Sequence, residues 1–356
     1  MAGTNNVVSS RPEILVDGTR KAGLESGLIS LSIRRTEGRI ADCEAEFSNW
    51  GNRPDGSVGW TLFDGADLDF GRRLEFKLGD GSLFDGRILA IEGRFPSGAP
   101  PVLVVRADDG LQALRMVRRT RSFERISDAD AVRRIAGDHG IPVDIDMPGP
   151  THPVLVQSNQ TDLAFAQERA RHRDADLWFQ DGTLHARPRS SRQGAGFDLV
   201  LARNLMSFSA TADLAHQRTE LVVSGWDVER KAAISRRIGS DALARESASG
   251  RTGVAILQER FGDRVDSANH GSPFDDQEAL GWGEARFLAA ARRFARGRGV
   301  AVADARLIPA SRIGIRGVGP LFEGEWDVVE IEHRFDGESG LRTEIVVERA
   351  WIGNAA

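Results

Sequence analysis

The seven histidines are the first residues to consider for metal binding or acid–base catalysis. A catalytic zinc site usually takes two histidines at a short fixed spacing, as in HExxH, where both rings lie on one face of a helix. The chain has no such motif and no histidine pair four residues apart. The histidines are His139, His152, His172, His185, His216, His270 and His333. His333 falls in a predicted strand and is interpreted as structural, so no metal site is expected.

Three pairs of closely spaced carboxylates are the next candidates, because glycoside hydrolysis uses two acidic side chains. Those side chains must face each other across a cleft, and proximity in the sequence does not provide that arrangement. The pairs are Asp108-Asp109, Asp144-Asp146 and Asp275-Asp276. The chain also has no GxSxG nucleophile motif and no P-loop. We therefore predict no catalytic residues and no enzymatic activity.

The segment Gly317-Val318-Gly319-Pro320 begins like a dinucleotide-binding fingerprint. A bound phosphate would need a helix N-terminus directly after the glycines. Pro320 and the strand-like pattern that follows it do not provide one. We interpret the segment as a turn and expect no bound cofactor.

Five tryptophans could form a flat platform for a sugar ring, but each lies in an alternating, strand-like run. They are Trp60, Trp178, Trp226, Trp326 and Trp351. In such runs a large aromatic side chain is usually part of the core. We therefore expect core positions for these residues, with Trp60, Leu83 and Phe84 as anchors of the N-terminal part.

The composition is that of a soluble globular protein of two to four domains, with 356 residues, 40% hydrophobic and 28% charged. A formal net charge of −5 argues against nucleic acid as a partner. Cys43 is the only cysteine and is expected in the core, which excludes an internal disulfide. No stretch predicts a membrane span, and the N-terminus has no signal-peptide pattern. Synthesis and assembly are therefore expected in the cytoplasm.

Two segments of the chain, 73–107 and 312–350, follow the same pattern. Each predicts a strand that ends at glycines, a second strand that leads into an Arg-Phe pair, a Gly-rich turn and a closing strand. The pairs are Arg94-Phe95 and Arg334-Phe335. Three strands that share an apolar face form an antiparallel meander. The repeat therefore predicts two related β-modules.

The region between the two segments predicts helices and one hairpin. Ser127 to Asp130 resembles a capping box ahead of a helix that ends at Gly140, and a second helix is predicted from Thr161 to His172. Leu177 to His185 predicts a hairpin on an Asp-Gly turn. Further on, strands are predicted at 198–201, 205–209 and 219–226, and one long helix from Gln277 to Arg296, ended by Gly297. The N-terminal strands are predicted at 14–17, 28–34, 43–48 and 68–70.

The predicted fold class is α+β and mainly β, with two related antiparallel β-barrel modules. An α+β domain lies between the modules, and a helical insertion interrupts the second one. The predicted divisions are a flexible tail (1–12), the first β-barrel module (13–110), the α+β domain (111–193), the second β-barrel module (194–227 and 303–353) and the insertion (228–302).

Four pieces of the sequence resemble the phage late control protein D family, the hub proteins of contractile-tail baseplates. The pieces are LFDGRILAIEG at 83–93, the run VLVVRADDGLQALRMVRRTRSFERISDADAVRRIAGDHGI at 102–141, QSNQTDLAFAQERARHRDADLWFQDGTLHARP at 157–188 and LFEGEWDVVEIEHRFDGESGLRTEIVVERA at 321–350. Their order and spacing carry the likeness over most of the chain. Trp326 stands where family members commonly have tyrosine.

The resemblance implies a hub like that of T-even phages and like the N-terminal part of VgrG spike proteins. Such a hub is a homotrimer whose six β-modules imitate sixfold symmetry. It would join the hexameric inner tail tube to a trimeric spike and contact other baseplate proteins in a phage tail, tailocin or phage-tail-like particle. VgrG proteins continue into a spike, whereas this sequence ends after its last strand, so a separate spike protein is expected. A tail-associated cell-wall hydrolase and a glycan-binding β-protein are the alternatives.

Overall fold

The computed structural model describes residues 11–53, 56–192, 194–227, 230–246, 250–269 and 273–353. Strands hold 49% of the residues and helices 20%, so the predicted class, α+β and mainly β, is confirmed. Most of the predicted tail and His270 lie outside the described residues. Among the helices of the described part, none is long and apolar enough to cross a membrane.

The strands of the N-terminal half are β1 Glu13–Val16, β2 Thr19–Arg20, β3 Leu28–Thr36, β4 Asp42–Ser48, β5 Gly51–Asn52, β6 Val58–Gly59, β7 Arg73–Leu78, β8 Gly81–Arg94, β9 Val102–Asp108, β10 Arg118–Ser127, β11 Val143–Ile145, β12 Thr151–Thr161, β13 Ala175–Gln180 and β14 Thr183–Pro188. The remaining strands are β15 Gly194–Val200, β16 Leu205–Ala212, β17 Glu220–Asp227, β18 Ala232–Ile238, β19 Arg251–Thr252, β20 Val265–Ala268, β21 Ala295–Val302, β22 Arg312–Arg316, β23 Gly324–Asp336, β24 Gly340–Arg349 and β25 Trp351–Ile352. The helices are α1 Ala22–Gly27, α2 Gln112–Arg115, α3 Asp128–Asp138, α4 Asp162–His172, α5 Gly253–Phe261 and α6 Asp276–Arg292, with short 3₁₀ turns at Arg189–Ser191 and Ser240–Arg245.

Local sequence signals set several of these boundaries. The hydroxyl of Ser127 accepts a hydrogen bond from the Asp130 amide (3.1 Å), and Thr161 caps α4 in the same way. Both helices begin where the capping residues predict. The hairpin of β13 and β14 turns at Asp181 and Gly182, whose φ angles are 49° and 76°. Positive φ at both positions is what a two-residue hairpin turn requires.

Two sets of six strands follow the same path through the largest sheet. The first β-module consists of β1, β3, β4, β7, β8 and β9, and the second of β15, β16, β21, β22, β23 and β24. Their spatial orders are β1-β7-β8-β9-β4-β3 and β15-β22-β23-β24-β21-β16. Numbered along the chain within each module, both read 1-4-5-6-3-2. The predicted internal repeat is therefore confirmed as a repeated topology, although β1 runs antiparallel to β7 and β15 parallel to β22.

Register shifts in the sheet also occur at equivalent positions of the two modules. The β8–β9 register shifts between Ile88 and Ala90, and the β23–β24 register shifts between Val328 and Glu330. These positions are 240 residues apart (328 − 88 and 330 − 90). Strands β3 and β16 also shift at matching points, and their sequences, LISLSIR at 28–34 and LMSFSAT at 205–211, show the same small–large alternation. β-Bulges are specific features of a sheet, so matching bulges support true equivalence.

Four hydrophobic clusters fill the interior. One lies in the first module and also takes Phe335 and Leu341 from the second. Another is built from residues between Leu111 and Ala186, and the second module has its own cluster around Trp326. The fourth lies under α6 and the sheet β18-β17-β20. The predicted domain boundaries themselves remain a prediction.

Three predictions of local structure are wrong, two that concern strands and one that concerns the long helix. Residues 68–70 lie in an irregular loop, with Leu68 buried and Phe70 exposed. The predicted second module includes the strand at 219–226, but Glu220–Asp227 pairs with β18 and β20 in a separate sheet. The alternating pattern identifies a strand and does not identify its partners.

The long helix ends at Arg292, and residues 295–302 form β21 instead of continuing it. Gly297 is a strand residue rather than a helix stop. A Cβ placed there would lie 2.4 Å from the Phe208 ring and 2.9 Å from Val347. The strand needs a glycine at this position because its neighbours on both sides pack against the backbone.

Candidate assembly surface

One face of the largest sheet carries charged side chains at matching positions of the two modules. Glu92 and Arg94 of β8 and Glu332 and Arg334 of β23 are related by the same offset of 240 residues. The Arg Nε–Glu Oε1 distances are 2.8 Å in the first pair and 3.5 Å in the second. Arg106 extends the first pair, with its Nη2 2.8 Å from a Glu92 oxygen. Such exposed ion pairs add little stability, so the face is best described as a solvated, mixed-charge surface.

The two modules are joined edge to edge inside the chain. Strand β3 pairs antiparallel with the C-terminal half of β23, from Thr36↔Glu330 to Ser30↔Asp336. The Ser32 hydroxyl donates to Glu332 Oε1 at 2.7 Å. The second strand of the first module therefore closes the edge of the fifth strand of the second module.

The equivalent edges of the other two strands, β8 in the first module and β16 in the second, are open. After Arg87, β8 has no further pairing with β7, and its segment from Ala90 to Arg94 pairs with β9 alone. Strand β16, the equivalent of β3, pairs with β21 alone. These statements hold for the strands of the described ranges. An open edge presents unpaired N–H and C=O groups, which another strand can complete.

A cluster of four exposed aromatic side chains lies next to the open edge of β8. Trp60 contacts Trp50 and Phe63 with ring centroids 5.1 Å apart, and Phe95 lies 5.7 Å from Trp60. The rings of Phe63 and Phe95 also approach Gly93 of β8. Trp60 is 37% exposed and Phe95 65%. Grouped exposed aromatic side chains mark interaction surfaces.

The tryptophans divide between core and surface. Trp326 is fully buried, and its Nε1 donates to the Phe322 carbonyl at 2.9 Å, as a core role predicts. Trp178 and Trp351 are half-buried against His185 and Arg349. The predicted core positions of Trp60 and Trp226 are wrong, because Trp60 lies in the loop after β6 and Trp226 projects from the small sheet of β17. Leu83 and Phe84 are buried anchors as predicted.

The histidines of the described ranges are dispersed, and His333, His152 and His139 hold structural positions. His333 is buried, and its Nδ1 lies 2.8 Å from the Thr343 hydroxyl. Burial, with the charge of Arg35, lowers the pKa of His333 to about 3. His152 is buried between Asp128 and Glu278, and His139 contacts Asp162 at 2.8 Å. Among the described residues, no three His, Cys, Asp or Glu side chains are grouped as a metal site would require.

The predicted carboxylate pairs serve local structure. Asp109 is buried and accepts hydrogen bonds from the amides of Ala41 and Leu111, while burial raises its pKa to about 7. Asp108 and Asp144 pair with arginines. Asp275 caps α6, and Asp276 pairs with Arg236. All six lie in the described part of the chain, and none lines the cleft of about 880 Å³ between α4 and α6. Gly317 and Gly319 have positive φ and form the predicted turn.

A buried ion-pair network fixes the region between the modules to both of them. Arg192 places Nη2 2.6 Å from Asp176 of β13 and 2.8 Å from Glu37, and Arg189 pairs with Glu348 of β24 at 2.8 Å. Burial raises the pKa of Asp176 well above its usual range. Burial alone would also raise the pKa of Glu37, but the Asp176 hydrogen bond and the two guanidinium charges lower it to about 2. No local pattern predicts this network, because Glu37 and Glu348 are far along the chain from Asp176 and the two arginines.

Cys43 is buried, as predicted, and burial raises the pKa of its thiol.

The fold is that of several phage tail proteins. The 43 kDa tail protein of prophage MuSo2 from Shewanella oneidensis superposes with a TM-score of 0.73 at 12% identity, covering 95% of this chain and 98% of that one. A tail protein from Neisseria meningitidis MC58 gives 0.69 at 11% identity, covering 96% and 98%. An E. coli component of the type VI secretion system, described as structurally similar to the T4 bacteriophage tail proteins gp27 and gp5, gives 0.58 at 10% identity, covering 93% and 76%.

At the level of sequence, residues 7–337 match the family model described as the Alg8 N-terminal domain. The chain therefore belongs to the Alg8 N-terminal domain family. A comparison with curated protein sequences finds no match.

Proposed function

We propose that the chain is the structural hub of a contractile injection machine, an adaptor that acts by assembly and not by catalysis. The observation that carries the proposal is the repeated topology, in which β3 pairs with β23 inside the chain while the equivalent edges of β16 and β8 are open. The structural likeness to tail proteins and to a type VI secretion component supports it.

The closed contact predicts how copies assemble. If β16 of one chain pairs with β8 of the next as β3 pairs with β23, each contact is head-to-tail and can close into a ring. Transferring the β3–β23 register places Arg94 opposite Ser209, and Phe95 opposite Phe208, of the neighbouring chain. Three chains then present six similar modules. Such a ring matches a hexameric tail tube on one side and a trimeric spike on the other.

The charged face of the sheet takes a defined place in this ring. The other face of each module is covered by its own core and by the additional domain and helices. Because the outside of a ring has more room than its lumen, these covering layers belong outside. The Glu92–Arg94 and Glu332–Arg334 pairs then line the channel, where a hydrated surface of both signs does not retain passing molecules.

The proposed partners are further copies of this chain, the inner tube protein, a separate trimeric spike protein and other baseplate proteins. The exposed cluster of Trp50, Trp60, Phe63 and Phe95 lies at the predicted contact between chains and would be covered there. Assembly would take place in the cytoplasm, and the product would be part of a phage tail, a tailocin or a phage-tail-like particle.

The mass of the assembled protein tests the proposal. Native mass spectrometry over a concentration series, with and without the spike protein, is expected to show a trimer alone or on the spike. Ser209→Arg, which brings a second cation directly opposite Arg94 at the predicted contact, is expected to reduce the trimer, and Ser235→Arg on exposed β18 is the matched control. A chain that stays monomeric and binds no spike would contradict the proposal.

A glycan-binding β-protein is the second candidate, because Trp50 and Trp60 are exposed as a sugar platform would require. It does not account for the repeat or for the open edges. Isothermal titration with peptidoglycan fragments separates the two candidates: binding that Trp60→Ala abolishes in a monomeric protein would favour the glycan-binding function.

A further inference from the structure

A cleft of about 880 Å³ lies between α4 and β13 on one side and α6, β23 and β24 on the other. Five arginines line it without an ion pair to any described carboxylate. They are Arg39, Arg171, Arg286, Arg293 and Arg296. All five are exposed, and they come from different elements of the fold. Free arginines gathered around one cleft produce a local positive potential in a protein whose formal net charge is −5.

The carboxylates that line the same cleft do not cancel this potential. Glu37 and Glu348 pair with Arg189, Asp176 pairs with Arg192, and Asp174 pairs with Arg292 at 2.5 Å. Glu330 is the one lining carboxylate without an ion pair to a described residue. Five unpaired arginines therefore face one unpaired glutamate.

The wall formed by α4 and α6 adds an apolar surface. The rings of His172 and Trp282 lie edge to face, with centroids 6.3 Å apart, and the Arg286 guanidinium lies 5.7 Å from the Trp282 ring. Burial and the nearby Arg169 charge lower the pKa of His172 to about 4, so its ring is neutral at pH 7. The cleft thus combines positive charge with an aromatic surface.

We propose that this cleft binds an acidic polypeptide segment of a partner protein. The guanidinium groups match carboxylates in a planar, two-bond geometry, and five of them provide for several Asp or Glu side chains. A nucleic acid fits less well, because single strands need several aromatic side chains for base stacking and a continuous basic groove. Here the described lining includes one tryptophan, Trp282, and paired carboxylates form part of it. No residue of β8 or β16 lines this cleft, so the proposal can be tested independently of ring assembly.

Fluorescence anisotropy with a fluorescein-labelled octaglutamate peptide tests the proposal on the full chain. We expect saturable binding that weakens as salt is added, because exposed charges are screened. Arg293→Glu with Arg296→Glu should weaken binding by about tenfold or more, since each reversal turns attraction into repulsion. Arg125→Glu with Arg203→Glu changes the net charge equally at exposed positions that do not line the cleft. This variant should leave binding within about twofold, because exposed charges without direct contact to the peptide are screened. Thermal unfolding of both variants establishes that each is folded.

Three results would overturn the proposal. They are no saturable binding of octaglutamate, an equal loss in the two double variants, and tighter binding of a single-stranded oligonucleotide that Arg293→Glu with Arg296→Glu abolishes. The last result would identify a nucleic-acid site instead.

Discussion

The first β-module connects its second and third strands through residues 37–41, whereas the second module connects the equivalent strands through residues 213–294. The short connection leaves β3 beside β23, where it completes the edge of the other module. The long connection folds into its own sheet and α6, and β16 keeps an open edge. Two copies of one topology therefore carry complementary roles. Strand β3 is paired within the chain, and β16 is free for the proposed contact between chains.

The largest difference in the free energy of unfolding is expected at a core position that holds a large side chain in one module and a glycine in the other. Trp326 occupies it in the second module and Gly86 in the first, 240 residues earlier. Trp326→Ala should lower the free energy of unfolding by about 3–5 kcal/mol through the cavity it leaves. Gly86→Ala should cost about 1–3 kcal/mol, because a Cβ there would lie 2.3 Å from the Asp108 carbonyl oxygen. Urea unfolding measures both, and a smaller loss for Trp326→Ala than for Gly86→Ala would contradict the packing described.

The buried network that joins the modules to the region between them is the next target. Arg192→Ala removes the cation that pairs with the buried carboxylates of Asp176 and Glu37. It should lower the free energy of unfolding by about 3 kcal/mol or more. Arg316→Ala removes an exposed ion pair with Asp198 and should cost less than about 1 kcal/mol. Both are measured by denaturant titration at neutral pH. Equal losses of unfolding free energy in the two variants would show that the buried ion pairs of Arg192 stabilise the fold no more than the exposed pair of Arg316.

The acid sensitivity of the modules should differ, because His333 in the second module has Gly93 as its equivalent in the first. The pKa of His333 is about 3 in the folded protein and near 6.5 when unfolded, so the unfolded state binds the extra proton between these values. His333 therefore makes stability fall as pH drops from 6.5 towards 3. By pH 4.5 its contribution to that loss should be about 2–3 kcal/mol.

His333→Asn can keep a hydrogen bond to Thr343 and does not titrate. The difference in unfolding free energy between wild type and this variant should shift by that amount in favour of the variant between pH 7 and 4.5. A constant difference over this range would show that His333 is not held neutral in the folded state.

The smallest effect on stability is expected at the aromatic cluster of the first module. Trp60→Ala removes an exposed ring and should change the free energy of unfolding by about 1 kcal/mol or less. The same change should weaken trimer formation in native mass spectra, because the cluster lies at the proposed contact. Trp226→Ala removes a tryptophan that is also exposed but lies on the inserted sheet, and should leave trimer formation unchanged. Similar effects of both variants on the trimer would argue against a specific role for the cluster.

Local features of the fold could be predicted from the sequence, because their causes are local. The Ser127 cap, the Asp181-Gly182 hairpin turn and the alternation around Cys43 each depend on neighbouring residues. The pairing of β17 outside the second module could not be predicted, since its apolar alternation fits either sheet. Exposure of Trp60 also depends on distant parts of the chain, which decide whether a loop is covered. The open edges depend on the register of every strand, which no local segment of the sequence determines.

A disulfide between the two open edges tests the central claim most directly. In Arg94→Cys with Ser209→Cys, the new cysteines would lie opposite each other only if β8 of one chain pairs with β16 of the next. Directly opposed strand residues bring their Cβ atoms close enough for a disulfide. The matched control, Ser32→Cys with Arg334→Cys, places the equivalent pair at the contact within the chain. Under mild oxidation the account predicts covalent trimers from the first variant and monomers with an internal disulfide from the control. Monomers alone from the first variant, while the control forms its disulfide, would contradict it.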